Sequence, residues 1–93
     1  MKSVLQNEKK CFVCGRTDVL HDHHCLFGTA NRKISEKYGL KVWLCPIHHN
    51  MSNEGVHFNK ALDLRLKQMA QAYYEQNIGN RTAFIRDFGK NYL

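Results

Sequence analysis

Two short ligand pairs, Cys11-Phe12-Val13-Cys14 and Cys45-Pro46-Ile47-His48, constrain this chain more than any other feature. Two residues between ligands let a tight turn aim both side chains at one ion, and Gly15 follows the first pair where such a turn favours a residue without Cβ. The second pair begins thirty-one positions after Cys14. Together the four side chains form a closed tetrahedral donor set suited to a structural Zn²⁺. A lone Cys-x-x-Cys would say far less, because redox thiols share it, and the chain lacks the βαβ pattern of a thiol redox protein. Cys25, between His24 and Leu26, reads as an ordinary buried thiol.

Ninety-three residues, 43% of them hydrophobic and 24% charged, fit one small domain, because a core of this size buries only roughly 60 to 65% of the extended-chain surface. Residues 1–10 are polar and lysine-tipped and read as a flexible arm. Short strands are expected over residues 19–26 and 40–44, the second rich in the β-branched and aromatic side chains Val42 and Trp43. Between them, residues 29–39 read as a loop with one helical turn. Pro46 is placed to open a helix, with Gly55 interrupting it. Phe58, Leu62, Leu66, Met69 and Tyr73 recur at spacings of three and four, which predicts a long amphipathic helix over residues 58–77 ending before Gly79, with Leu64 on its opposite side. A short helix follows over residues 82–88, with Phe84, Ile85 and Phe88 inward and Gly89 as its stop. Trp43 and Tyr73 are expected to pack in the core, although Trp43, Tyr73 and Tyr74 have the chemistry to stack on unpaired bases. The fold class is therefore small α+β. A zinc-anchored segment of the treble-clef type spans residues 11–57 and a helical tail spans residues 58–93.

Fourteen Lys and Arg against eight Asp and Glu leave a net charge of +6, which favours a polyanionic partner, nucleic acid above a membrane surface. Arg16, Arg32 and Lys33, with Lys9, Lys10, Lys37 and Lys41, are the candidates for phosphate contact. Without an apolar run near the ~20 residues of a membrane span, and without a signal-peptide core, a cytoplasmic protein is expected. Leu64, on the otherwise polar face of the long helix, is the one hint of self-association, so a monomer or weak dimer is expected.

All six histidines fall between His21 and His57, and a structural zinc uses only His48. The pair His23-His24 ends the first strand and His49 directly follows a zinc ligand. Once zinc fastens the second ligand pair to the first, the two histidine groups face one another, and a second ion fits between them. With Leu44-Cys45-Pro46-Ile47-His48-His49-Asn50 and the preceding Glu36-Lys37-Tyr38-Gly39, residues 11–57 resemble the HNH, or ββα-metal, nucleases in their zinc-bearing treble-clef form. Within these the chain looks like small phage nucleases related to the recombination-enhancement, RecA-dependent endonuclease.

The resemblance implies that His23 is a ligand of the catalytic ion, His24 the general base and His49 a second ligand. A further histidine about one helical turn on often supplies another. Here that position holds Asn53, and the next histidine is His57, which an insertion around residues 52–55 would have to deliver. Asp22-His23 is an alternative ligand-base pair, in which case Asp22 is the ligand and His23 the base. Otherwise Asp22 orients a ligand and His21 has a supporting place. Asn31 matches the family's central asparagine, which braces the loop behind the base, as well as it matches an ordinary turn. The family implies Mg²⁺ or Mn²⁺ as the working ion, while histidine-rich coordination also suits Ni²⁺ or Zn²⁺. It further implies products with a 5′-phosphate and a 3′-hydroxyl, and a RecA-type recombinase filament as a targeting partner. An imidazole with an unperturbed pKa near 6.5 suits a general base at neutral pH. The rival reading is a non-catalytic zinc module that binds nucleic acid or protein, which leaves His23-His24 and His49 without a purpose.

Overall fold

β1 (His21–His24) and β2 (Lys41–Leu44) form a two-stranded antiparallel sheet in which His21 faces Leu44, Asp22 faces Trp43, His23 faces Val42 and His24 faces Lys41. Because side chains alternate along a strand, His21 and His23 leave one face of the sheet and Asp22 and His24 the other. This computed structural model describes residues 2–51 and 55–93. Around the sheet lie α1 (Thr29–Tyr38), a π-helical turn (Ile47–Met51), α2 (Lys60–Asn77) and α3 (Arg81–Phe88). The chain is thus a small α+β protein, and among the described residues no helix is long and apolar enough to cross a membrane.

Residues 29–39 are more ordered than the expected loop with one turn. They form the ten-residue helix α1, which Gly39 ends in the left-handed conformation with φ 70°. Few apolar residues mark this helix, and tertiary contacts hold it. The Ser35 hydroxyl, fully buried, donates to the Leu26 carbonyl at 2.8 Å, while Ile34 and Tyr38 pack on the core. Asn31 sits inside this helix and not in a turn, and its amide donates to the Phe88 carbonyl at 3.4 Å, tying α1 to α3.

Residues 2–10 are not a free arm. The Val4 amide donates to Gly39 at 2.9 Å, the Ser3 hydroxyl donates to the Lys41 carbonyl, and the Trp43 amide donates to the Gln6 side-chain oxygen at 2.9 Å. The Phe12 amide donates to the Trp43 carbonyl at 2.8 Å. The outer edge of β2 is therefore capped by side chains and loop amides, which satisfies backbone groups that an open edge would offer to another chain. Close approach fixes Gly39: a Cβ there would overlap the Lys2 carbonyl oxygen and lie 3.2 Å from a Val4 methyl, at a φ that L-residues rarely adopt. Gly39→Ala is expected to cost about 2 kcal/mol or more, from left-handed strain plus this overlap. In a domain this small that lowers the melting temperature by roughly 10 °C, readable by thermal circular dichroism.

The core joins Leu26, Leu40, Val42 and Leu44 to Val56, Leu66, Ala70, Tyr74, Phe84 and Phe88. Asn59 caps α2 by accepting from the Leu62 amide at 3.1 Å, and Asn80 caps α3 by accepting from the Ala83 amide at 2.8 Å, so these two helices start at asparagines. Phe58 consequently precedes α2 and is exposed, against the expectation that it lies on the buried face. Leu66 is buried, Leu62, Met69 and Tyr73 are partly buried against the core, and Leu64 is exposed. The fully packed aromatic of α2 is Tyr74, whose ring meets Phe84 and Phe88 and whose hydroxyl donates to Asp87 at 2.7 Å. In α3, Phe84 and Phe88 face inward but Ile85 is exposed.

Candidate metal and nucleic-acid site

Cys11, Cys14, Cys45 and His48 converge so that one ligand atom from each lies within 4.8 Å of all the others. The Cys14 and Cys45 sulfurs are 3.7 Å apart, and His48 Nδ1 lies 3.2 Å from Cys45 Sγ and 3.8 Å from Cys11 Sγ. A tight turn makes the first pair, with the Gly15 amide donating to the Cys11 carbonyl at 2.9 Å and Gly15 at φ 79°. The π-helical turn makes the second, its His48 and His49 amides both reaching the Cys45 carbonyl. Burial resists ionisation of Cys11, yet amides of Cys45, Cys14 and Val13 hold its thiol down at about 6. A thiolate supported by backbone N–H groups is the form that binds zinc. The set is compatible with a zinc site, and three sulfurs plus one imidazole are a structural donor set. Cys25 stands apart, fully buried, with burial pushing its thiol up to about 12.

A second cluster gathers one ring nitrogen each from His23, His49 and His57 within 4.8 Å. The His23 and His49 rings are 5.3 Å apart, His23 and His57 5.4 Å, and His49 and His57 4.8 Å, centroid to centroid. His23 Nε2 is buried and has no hydrogen-bond partner among the described residues. An orphaned buried nitrogen costs free energy unless something fills its lone pair. Burial, then the neighbouring imidazoles, pushes His23 down to about 3, and burial with His57 and His21 pushes His49 down to about 4. Both rings are neutral at pH 7, the state in which imidazole ligates metal, so protons compete for them only in acid.

His57 reaches this cluster by an unusual backbone path. The Val56 amide donates to the His48 carbonyl at 2.8 Å and the His57 amide to the His49 carbonyl at 3.3 Å. The chain therefore leaves the π-helical turn and folds back on it, and His57 Nε2 comes to 3.2 Å from His49 Nε2. The expected insertion falls largely on residues 52–54, including Asn53, which lie outside the described residues. His21 joins as well, its Nδ1 2.8 Å from His49 Nδ1. When His49 Nδ1–H donates in that bond, the lone pair of its Nε2 faces the cluster, the arrangement by which an outer residue orients an imidazole. Period-two alternation with His23 is the signal that would have placed His21 here.

His24 occupies the opposite face of β1. Its Nε2–H donates to the Glu36 carboxylate at 2.9 Å, and Lys41 Nζ bridges Glu36 at 2.9 Å and Asp22 at 3.0 Å. A carboxylate only accepts, so the proton of a neutral His24 ring sits on Nε2 and the lone pair on Nδ1. Asp22, His24 and Glu36 also lie within metal-binding range of one another, but the Lys41 ammonium already supplies a cation there. Asp22 thus points away from the three-histidine cluster.

Of the basic residues, Arg32 and Lys33 are exposed on α1, while Arg16 is clamped in a two-point ion pair with Asp18. No protein-family model matches this chain, and no curated protein or solved structure does. Fold and clusters define it as a small α+β protein with a Cys₃His set compatible with zinc.

Proposed function

We propose that this chain is a metal-dependent DNA endonuclease of the HNH type, built on a zinc-anchored treble clef. The observation that carries the reading is the convergence of His23, His49 and His57 around an unpartnered buried nitrogen, one position along the strand from an imidazole oriented by a carboxylate. Structural zinc alone accounts for neither.

A divalent ion held by His23, His49 and His57 would supply charge for the phosphoryl oxygens and the departing sugar oxygen. The rest falls to the chain. His24 takes the proton of the attacking water at Nδ1, while Glu36 keeps its Nε2 proton in place and stabilises the imidazolium, as a carboxylate does behind any catalytic histidine. The water oxygen forms the new bond to phosphorus as the bond to the 3′-oxygen breaks. That oxygen takes a proton from solvent water, leaving a 5′-phosphate and a 3′-hydroxyl, and His24 returns its proton to solvent. His23 and His24 leave β1 on opposite faces at its last two positions, so a DNA backbone crossing the strand end would meet the ion on one side and the base on the other. Arg32 and Lys33 are free to meet phosphates, whereas Arg16 would first give up Asp18.

The test is zinc-loaded protein with Mg²⁺, Mn²⁺ or Ni²⁺ on supercoiled plasmid, single-stranded and branched DNA, alone and with a RecA-type filament. Divalent-dependent nicking that His49→Ala removes, without loss of zinc, is the expected result. Tight zinc with no cleavage on any of these substrates, with or without the filament, overturns the reading in favour of a non-catalytic zinc module.

A further inference from the structure

On the sheet face that carries His24, a groove of about 620 Å³ opens between β2 and the N-terminal segment, lined among others by Lys2, Asn7, Lys9, Asp22, Lys41 and Trp43. Its volume lies inside the ~300–1,000 Å³ range of small-ligand sites. Trp43 is only partly buried and forms one wall, and the Lys9 ammonium rests 4.7 Å from the centre of its ring. Lys41 is already met by Asp22 and Glu36, so Lys2 and Lys9, both exposed, set the charge at the rim.

We infer that this groove binds an unpaired nucleotide of single-stranded DNA, its base stacked on Trp43 and its flanking phosphates on Lys2 and Lys9. Magnitudes decide the point. An exposed cation–π contact is weaker than the stacking of one base on an aromatic ring. A base therefore displaces Lys9 from the indole and leaves its ammonium beside the incoming phosphate, where the charge is worth more. Duplex DNA keeps its bases in the stack and cannot make the exchange. An acidic peptide meets the lysines but brings no ring to the tryptophan. The net charge of +6 draws the strand in.

Trp43 is the sole tryptophan, so its emission reports this groove alone. The zinc-loaded protein is titrated, without added divalent ion, with an oligothymidylate of eight nucleotides, a blunt duplex of equal length and polyglutamate. Quenching by the oligothymidylate, at least tenfold weaker binding of the duplex and no response to polyglutamate are expected. Labelled oligothymidylate should bind Trp43→Ala about tenfold more weakly. Lys9→Gln, which keeps the indole, should weaken binding several-fold and flatten its salt dependence by about one phosphate contact. Absent quenching, or equal quenching by duplex or polyglutamate, overturns the inference even if Trp43→Ala fails to fold. Because no cleavage is read, a chain that binds and never cuts leaves this groove standing, and one that cuts without quenching removes it alone.

Discussion

If zinc fills the Cys11, Cys14, Cys45 and His48 set, its removal, or Cys45→Ser, is expected to unfold the chain at 25 °C. A structural zinc contributes roughly 10–16 kcal/mol in small zinc-dependent peptides, as much as the whole stability of an ordinary domain, about 5–15 kcal/mol. The geometry gives that energy leverage here. The sheet has only two four-residue strands, too little to stand alone. Cys45 and His48 join the turn after β2 to the Cys11 turn, which otherwise meets β2 through the amide of Phe12. Without the ion, the buried thiols of Cys11 and Cys45 lose the bond that ties the two ligand turns to each other. The helical cluster of Tyr74, Phe84 and Phe88 would persist at most as fluctuating helix. Metal analysis should find one tightly held zinc per chain, and a strong chelator should abolish the cooperative melt and much of the far-ultraviolet signal. A chelated protein that melts within about 5 °C of the loaded one would show that the ligand set is ornamental.

The parts of this architecture that were legible in the amino-acid sequence are those governed by short-range chemistry. Cys11-x-x-Cys14 and Cys45-x-x-His48 announce their convergence because ligand spacing and turn geometry are coupled. The helix around Leu66 announces itself by period. What stayed hidden depends on partners distant in the chain. α1 has too few apolar residues to read as a helix, and its order comes from Ser35 reaching Leu26 and Asn31 reaching Phe88. Residues 2–6 look like a tail because their role, capping the edge of β2 with Ser3 and Gln6, uses polar side chains that also suit solvent. Phe58 fits the apolar period while Asn59 is the cap, so periodicity alone starts α2 two residues early. At the histidine site, adjacency of His23 and His24 suggested a shared location, whereas strand alternation sends them to opposite faces. The same alternation brings His21 to His49.

On the proposed nuclease reading, that division of faces sets the second large effect, a graded loss of cleavage across β1. His24→Ala should lower the single-turnover rate by roughly 10²–10⁴, the usual contribution of a positioned general base, while leaving zinc content and the affinity for the second ion unchanged. His23→Ala should lose the second ion as well as the rate, because it removes one of the three proposed ligands and the orphaned Nε2 with it. Glu36→Gln keeps an oxygen near His24 Nε2 but not the charge that fixes the proton there, and its amide can donate instead and turn the ring to the wrong tautomer. A loss of about 10–100-fold is expected, in the range of outer-residue substitutions. The order of damage is the content of the prediction. His24 variants that bind the second ion normally and cut poorly place the base on the Glu36 face. If instead His24→Ala cuts at the parent rate while His21→Ala does not, the base is the imidazole beside His49, and the whole reaction lies on one side of the sheet.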